Sequence, residues 1–261
     1  MNIITNIATW QTERLTLTGK SVGLVPTMGN LHAGHASLCQ RARRENDIVV
    51  VTIFVNPTQF NHASDYDRYP RTFEQDQALL KTIGIDYLLL FNADRLYPDH
   101  YEIQVTETNI SQLLEGEHRP GHFIGMLTIV LKLLNLVSPQ RAYVGEKDYQ
   151  QLLLIQKMVA ALFLPIEIIA CETIRAEDGL ALSSRNGFLT TEQRQQAALL
   201  PRLLQSNLSI EEITQQLTQA GFTVDYIAEQ SGRRLAAVWL GEVRLIDNTF
   251  YPPLKKGVGE P

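Results

Sequence analysis

The chain reads as an α/β protein: a doubly wound, parallel-sheet (Rossmann-like) domain over residues 1–174, followed by a smaller α+β domain over residues 175–261. Three observations predict this. Short continuous β-branched runs alternate with segments of helical spacing, which is the order of a parallel sheet covered on both faces. Connections between them are short. After about Thr173 the pattern changes to two Gln-rich amphipathic helices and three alternating strands.

Taken in order, Val22–Val25 is an apolar run, and Ala36–Glu45 follows with Leu38, Cys39 and Ala42 on one helical face. Ile48–Val55 is continuous and β-branched, as expected of a strand buried on both sides. Together they make a βαβ unit. Residues 56–70 are polar and turn-rich, Thr72–Ile83 has helical spacing, and Asp86–Phe91 is another buried strand. Tyr101–Thr108 alternates and is read as an edge strand or hairpin arm. A long helix from Phe123 to Val137 stops at Ser138-Pro139. Ala142–Val144 is a strand, Tyr149–Leu162 a helix and Ile166–Ala170 a strand. A domain boundary is placed near residues 172–176. Beyond it come helices over Thr190–Gln205 and Ser209–Ala220, then strands over Thr223–Ala228, Arg234–Leu240 and Val243–Ile246, the last two joined at Gly241-Glu242. The Pro-, Gly- and Lys-rich tail from residue 252 is expected to fray.

Composition narrows the class. An apolar fraction of 44% with 20% charged residues is that of a soluble globular protein. A net charge of −5 supplies no global attraction to nucleic acid. The longest apolar segment, Ile124–Val137, contains Lys132 and Asn135 and is too short to span a bilayer. Two cysteines, Cys39 and Cys171, lie in apolar patterns and are read as buried free thiols. With no basic leader before an apolar core at the N-terminus, the expectation is a cytoplasmic protein without nucleic-acid or membrane partners.

The most informative stretch is Pro26-Thr27-Met28-Gly29-Asn30-Leu31-His32-Ala33-Gly34-His35, between the first apolar strand and a helix. The first N–H groups of a helix lack intrahelical partners and carry the positive end of its dipole, so an anion is stabilised there. Gly29 and Gly34 are read as places where backbone can approach a ligand. His32 and His35, three apart, lie on one side of a first helical turn and suit charge developing in phosphoryl or nucleotidyl chemistry. Spacing alone leaves open metal ligation by the pair, or two unrelated surface histidines.

Other strand ends carry similar chemistry. Gln59 stands just past Phe54-Val55-Asn56-Pro57, and Gly145-Glu146-Lys147-Asp148 precedes a helix. Lys147 suits phosphate and Asp148 a ribose hydroxyl, with ordinary helix-end chemistry as the alternative. Ser183-Ser184-Arg185 offers hydroxyls and a guanidinium for phosphate, or is a plain capped loop.

In combination these motifs resemble the pantoate–β-alanine ligase (pantothenate synthetase) family. The resemblance rests on Pro26-Thr27-Met28-Gly29 with His32-x-Gly34-His35, on Phe54-Val55-Asn56-Pro57-x-Gln59-Phe60, and on Tyr69-Pro70-Arg71-Thr72. It continues through Leu114-Glu115-Gly116, Arg119-Pro120-Gly121-His122-Phe123, Gly145 to Gln151, Asp178 to Asn186 and Arg244 to Asn248. It implies an ATP- and Mg²⁺-dependent ligase that joins pantoate to β-alanine through an acyl adenylate, and a homodimer. His32 and His35 are then the HxGH pair of the wider nucleotidyltransferase superfamily.

The implied catalytic residues are His32, His35, Lys147 and Arg185. Met28, Gln59 and Gln151 would hold pantoate. Pro26, Thr27, Met28, Gly29, His32, Gly34, His35, Gly145, Glu146, Lys147, Asp148, Ile174, Leu182, Ser183, Ser184 and Arg185 would form the ATP site, with Asp76 in the metal region. The second domain would act as a lid. The segment between Asp225 and Leu235 is shorter than the family pattern. Two rival classes share these features: a nucleotidyltransferase that leaves the nucleotide on its product, and a non-catalytic nucleotide-binding module.

Overall fold

The computed structural model describes residues 1–61 and 63–251, and the backbone alone for 63 and 64; the tail from 252, expected to fray, lies outside the described residues. The chain divides into two compact units, Met1–Glu172 and Thr173–Pro261.

The first unit carries β1 (Asn2–Ile4), α1 (Ile7–Thr16), β2 (Val22–Thr27), α2 (Ala33–Glu45), β3 (Ile48–Ile53), α3 (Ala63–Arg68), α4 (Phe73–Ile83), β4 (Tyr87–Leu89), α5 (Ala93–Leu96), α6 (Glu115–His118), α7 (His122–Val137), β5 (Arg141–Gly145), α8 (Tyr149–Ala161) and β6 (Glu167–Cys171). All six strands are parallel, in the order β1-β4-β3-β2-β5-β6. From β2 the chain builds outward through β3 and β4, then returns to lay β5 and β6 on the other side. The reversal falls between β2 and β5, and ligands of open α/β sheets bind at the strand carboxyl ends of such a point.

The period-2 alternation of the strands explains why helices cover both faces. Val22, Leu24, Ile48, Val50, Leu89 and Val144 join one core with Trp10 of α1 and the apolar faces of α7 and α8. Val25, Val49, Val51, Leu88 and Tyr143 join a second core with Cys39 and Ala42 of α2 and Leu80 of α4. Burying Leu- or Val-sized side chains stabilises by roughly 1.5–3 kcal/mol each, so neither face can be left open. Both cysteines are buried free thiols. Among the described residues no helix is long and apolar enough to cross a membrane.

The second unit holds α9 (Thr191–Ala197), α10 (Leu199–Leu204), α11 (Ile210–Gln219) and the antiparallel sheet β7 (Thr223–Gln230), β8 (Arg233–Leu240), β9 (Val243–Phe250). Leu200, Leu203, Leu204, Ile213 and Leu217 pack on Ala236, Val238 and Leu245. The short segment between Asp225 and Leu235 is a hairpin whose two turn residues, Ser231 and Gly232, both have positive φ (53° and 71°). Such a primed turn matches the twist of its strands and needs no extension. Arg175 pairs with the buried Asp247 at 2.7 and 2.9 Å and donates to Gly179 and Asn248 carbonyls, which ties the strand-like segment around Arg175–Ala181 to β9.

Several elements differ from expectation. Tyr101–Thr108 is not a strand: the sheet edge beside β4 is taken by β1, which the sequence reading had left unassigned, and Val105 N–H donates instead to Thr128 Oγ1 at 2.9 Å. Residues 56–70, read as turns, contain α3 and a single 3₁₀ turn over Pro57–Gln59. The helix expected over Thr190–Gln205 is two helices, broken at Ala198. Pro201 lacks an N–H and its ring would crowd the carbonyl four residues back, so one continuous helix is disfavoured.

The 3₁₀ turn is pressed against α7 at Gly125, where an added Cβ would lie 2.4 Å from the Thr58 carbonyl oxygen. Overpacking of this kind costs about 1–3 kcal/mol. Gly125→Ala is therefore expected to lower the unfolding free energy measured by urea titration by that much, whereas Gly187→Ala, which meets nothing within 4 Å, stays within about 0.5 kcal/mol of the parent.

Candidate active site

The carboxyl end of β2 runs into a tight turn. Gly29 has φ of +82°, a conformation costly for other residues, and a Cβ there would come 3.2 Å from Asp76 Oδ2. His32 is the N-cap of α2, and its Nδ1 accepts the Gly34 N–H at 3.1 Å. His35 completes a reciprocal capping box: its Nδ1 accepts the His32 N–H at 3.3 Å. Each ring therefore uses Nδ1 as an acceptor, which leaves the single proton of a neutral imidazole on Nε2.

The electrostatics favour that neutral form. Burial, followed by the positive charge of Lys147, lowers the His32 pKa from its usual value. Burial, followed by His32 itself, lowers His35 to about 3. The ring centroids are 4.2 Å apart, too close for both to carry charge in a partly dry site. At neutral pH the N-terminus of α2 thus presents two Nε2–H donors alongside the dipole of the helix. Gly34 has a task within the cap itself. A Cβ there would lie 2.8 Å from His32 Cε1, so its missing side chain makes room for the His32 ring.

The facing strand end contributes the charge. Gly145 ends β5, and Glu146–Asp148 forms a 3₁₀ turn leading into α8. Lys147 Nζ lies 3.8 Å from Asp148 Oδ2, and both groups act on His32 and His35. The residues proposed from the β2 and β5 ends are therefore brought together across the reversal of strand order. Gln151, half-buried in the first turn of α8, makes no side-chain hydrogen bond to the described residues. The neighbouring Gln150 is structural: buried, it holds Glu115 N–H and the Ile110 and Leu113 carbonyls.

Beyond β3, Gln59 Nε2 donates to Met28 Sδ at 2.9 Å, so the two residues read as acid-binding are neighbours. Gln59 is held by residues to which the sequence reading gave no role. Asn56 Nδ2 donates to Gln59 Oε1 and to the Gly125 carbonyl, each at 3.1 Å. Asn56 Oδ1 accepts from Thr58 Oγ1 at 3.0 Å and Tyr97 OH at 2.9 Å, which saturates this buried amide. The Gln59 carbonyl accepts His122 Nδ1–H at 2.8 Å and Arg119 Nη2–H at 3.3 Å, while Arg119 Nη1 donates to His122 Nε2 at 3.1 Å. Burial, with Arg119 next, lowers His122 to about 3. A polar residue before proline, directly after an apolar strand, is the signal that would have singled out Asn56.

Asp76, read as lying in the metal region, has both oxygens engaged: Oδ2 accepts Asn30 N–H at 2.9 Å, and Oδ1 accepts Leu31 N–H at 2.7 Å and Thr72 Oγ1 at 3.1 Å. Among the described residues no three of His, Cys, Asp and Glu gather as a metal site.

In the second unit, Leu182 N–H donates to the Ile174 carbonyl at 2.9 Å, and Ser183 caps a 3₁₀ turn over Ser184–Phe188 by accepting Arg185 N–H. The five residues from this unit expected at the ATP site, Ile174, Leu182, Ser183, Ser184 and Arg185, thus lie on one paired segment and the turn that follows it.

Fold and site together define a doubly wound α/β nucleotide-binding protein with a pair of neutral imidazoles at a helix N-terminus. The model of the family described as pantoate-beta-alanine ligase matches residues 2–250. The chain is 53% identical over 249 residues to a pantothenate synthetase of Legionella pneumophila (strain Corby), covering 95% of this chain and 99% of that protein. It is 50% identical over 254 residues to one from Coxiella burnetii (strain Dugway 5J108-111), covering 97% and 98%. A crystal structure of pantoate-beta-alanine ligase from Francisella tularensis, complexed with beta-gamma ATP and beta-alanine, aligns with a TM-score of 0.92 at 42% identity, covering 96% of this chain and 97% of that one. The chain belongs to the pantoate–β-alanine ligase family.

The buried histidines set an acid limit on stability. His35 and His122 have folded pKa values near 3 against an unfolded value of about 6.5, so between these pH values the unfolded state binds more protons. Their contribution is complete above about pH 6.5 and is lost progressively as pH falls toward 3. Urea midpoints measured from pH 7.5 to 4.5 should decline, and the decline should be shallower in His122→Asn, which keeps an uncharged polar group at that position.

Proposed function

We propose that the chain condenses pantoate with β-alanine to pantothenate, at the expense of ATP, through a pantoyl-adenylate intermediate. The observation that carries this reading is the pair of neutral Nε2–H imidazoles at the start of α2, in the field of Lys147 from the neighbouring strand end. The relatives' names and the Francisella ligand complex agree with it.

A carboxylate is a poor acylating agent, so activation must precede amide formation. A pantoate carboxylate oxygen attacks the α-phosphorus, and the bond to pyrophosphate breaks. The amine of β-alanine then attacks the acyl carbon, and the bond to AMP breaks. Pantoate is already ionised at neutral pH, so the first step needs no general base. His32 and His35 donate to phosphate oxygens, Lys147 offsets charge on the leaving group, and Arg185 of the second unit adds a further phosphate contact. Pro26, Thr27, Met28 and Gly29 line the nucleotide at the β2 end. Gly145, Glu146 and Asp148 take its ribose side, with Ile174, Leu182, Ser183 and Ser184 completing the nucleotide site. Gln59, beside Met28, and Gln151 hold pantoate through their amides. Mg²⁺, when bound on the phosphates, neutralises charge on the departing pyrophosphate. The reading includes a homodimer in the cytoplasm, the second unit closing over bound ATP.

Labelled pyrophosphate should exchange into ATP when pantoate is present and β-alanine absent. Exchange without pantoate, or none at all, would remove the adenylate step. A nucleotidyltransferase that leaves the nucleotide on its product would release no AMP on adding the amine. Lys147→Ala should lower exchange by about 10²–10³-fold, the typical loss of one preorganised electrostatic contact. Gln59→Ala should raise the pantoate KM well above any change in that for ATP; equal changes would contradict the assignment.

A further inference from the structure

We infer that Asp76 is a positioning residue for the phosphate site: from α4 it fixes the backbone of the turn that delivers His32, and it is not a metal ligand. The inference rests on the reading of the α2 N-terminus as the phosphate site.

The turn between β2 and α2 has no secondary-structure partner for its amides, and a partly buried N–H left unpaired is destabilising. Asp76 is 2% exposed and meets this need from a different element. Its two oxygens divide the work, one accepting Asn30 N–H at 2.9 Å and the other Leu31 N–H at 2.7 Å, the residues directly before the His32 N-cap. Hydrogen bonds to a charged acceptor are short and roughly twice as strong as neutral ones. The carboxylate is itself fixed: Thr72, four residues earlier and the N-cap of α4, donates to Oδ1 at 3.1 Å.

The neighbouring sequence makes room for this contact. Asn30 has φ of 51° and Gly29 of 82°, so two successive residues take the left-handed region, and the N–H groups of Asn30 and Leu31 that follow from this turn meet Asp76 of α4. A Cβ at position 29 would stand 3.2 Å from Asp76 Oδ2. The turn is thus shaped around the carboxylate. The capping box that sets both imidazole tautomers starts one residue later, at the His32 N–H, so a shift of the turn moves both donors together. A misplacement of about 1 Å in a reacting constellation can cost on the order of 10²-fold in rate.

The test uses Asp76→Asn, which keeps shape and one acceptor but sets an NH₂ group against the second backbone N–H, and Thr72→Val, which removes only the support of the carboxylate. In the parent, the Asn30 and Leu31 amides should be protected from hydrogen exchange; in Asp76→Asn at least one loses protection. Pantoate-dependent pyrophosphate exchange should fall about 10–100-fold with a raised ATP KM, an unchanged pantoate KM and an unchanged Mg²⁺ requirement. Thr72→Val should move in the same direction by less. A merely structural role would lower the melting temperature and the active fraction while leaving the ATP KM of the folded enzyme at the parent value, and that result would overturn the inference. So would recovery of Asp76→Asn by added Mg²⁺, which would make the carboxylate a metal ligand. If the parent catalyses no exchange, yet Asp76→Asn still exposes the two amides, the functional reading fails and the structural clamp stands.

Discussion

Everything at the site depends on the reversal of strand order between β2 and β5. Adjacent parallel strands point their carboxyl ends the same way, and at the reversal the following connections leave in opposite directions. The chain is thereby prevented from covering its own strand ends with a crossover helix. What remains is a crevice whose walls are a helix N-terminus on one side and the turn before α8 on the other. The paired cores on the two faces of the sheet hold these walls in place, because the apolar side chains of the central strands β2, β3 and β5 point into one core or the other.

A second layer of order lies behind the residues that face this crevice. Gln59 is pinned by Asn56, Arg119 and His122, and the turn before His32 by Asp76. Apart from Asn56, which belongs to the same turn as Gln59, these supports come from elements other than the one that carries the residue they hold. α7 holds the turn after β3, and α4 holds the turn after β2. The turns after β2 and β3 are short, yet helices packed on opposite faces of the sheet restrain them, which joins the stability of the cores to the placement of the side chains these turns carry.

Much of this was legible in the sequence, for identifiable reasons. Val22–Val25 and Ile48–Val55 are so apolar and β-branched that only a doubly covered strand accommodates them, and His32-x-Gly34-His35 directly after such a strand falls on a helix N-terminus. The pattern could not disclose contacts between distant segments. Tyr101–Thr108 alternates as an edge strand should, yet the place beside β4 is taken by three residues near the N-terminus. Asp76 looked like a metal-region acid because its partners are backbone amides of residues 30 and 31, and side-chain identity carries no trace of a neighbour's N–H. Gly34 shows a related limit: spacing indicates where a side chain is missing but not that the His32 ring lies beside the gap.

That last feature bears on how the sequence can vary. The His32 ring lies in the volume that any side chain at position 34 would claim, and the Gly34 N–H is the donor that holds the ring. The two positions therefore behave as one unit of inheritance split by an alanine. A side chain at position 34 must displace the His32 ring, and a change at position 32 leaves the Gly34 N–H without its acceptor, so single substitutions at either position disturb the cap. A library randomised at both positions together is the only one able to reveal an alternative solution, and a tolerant pair found in that way would have to rebuild the cap of α2 by other means.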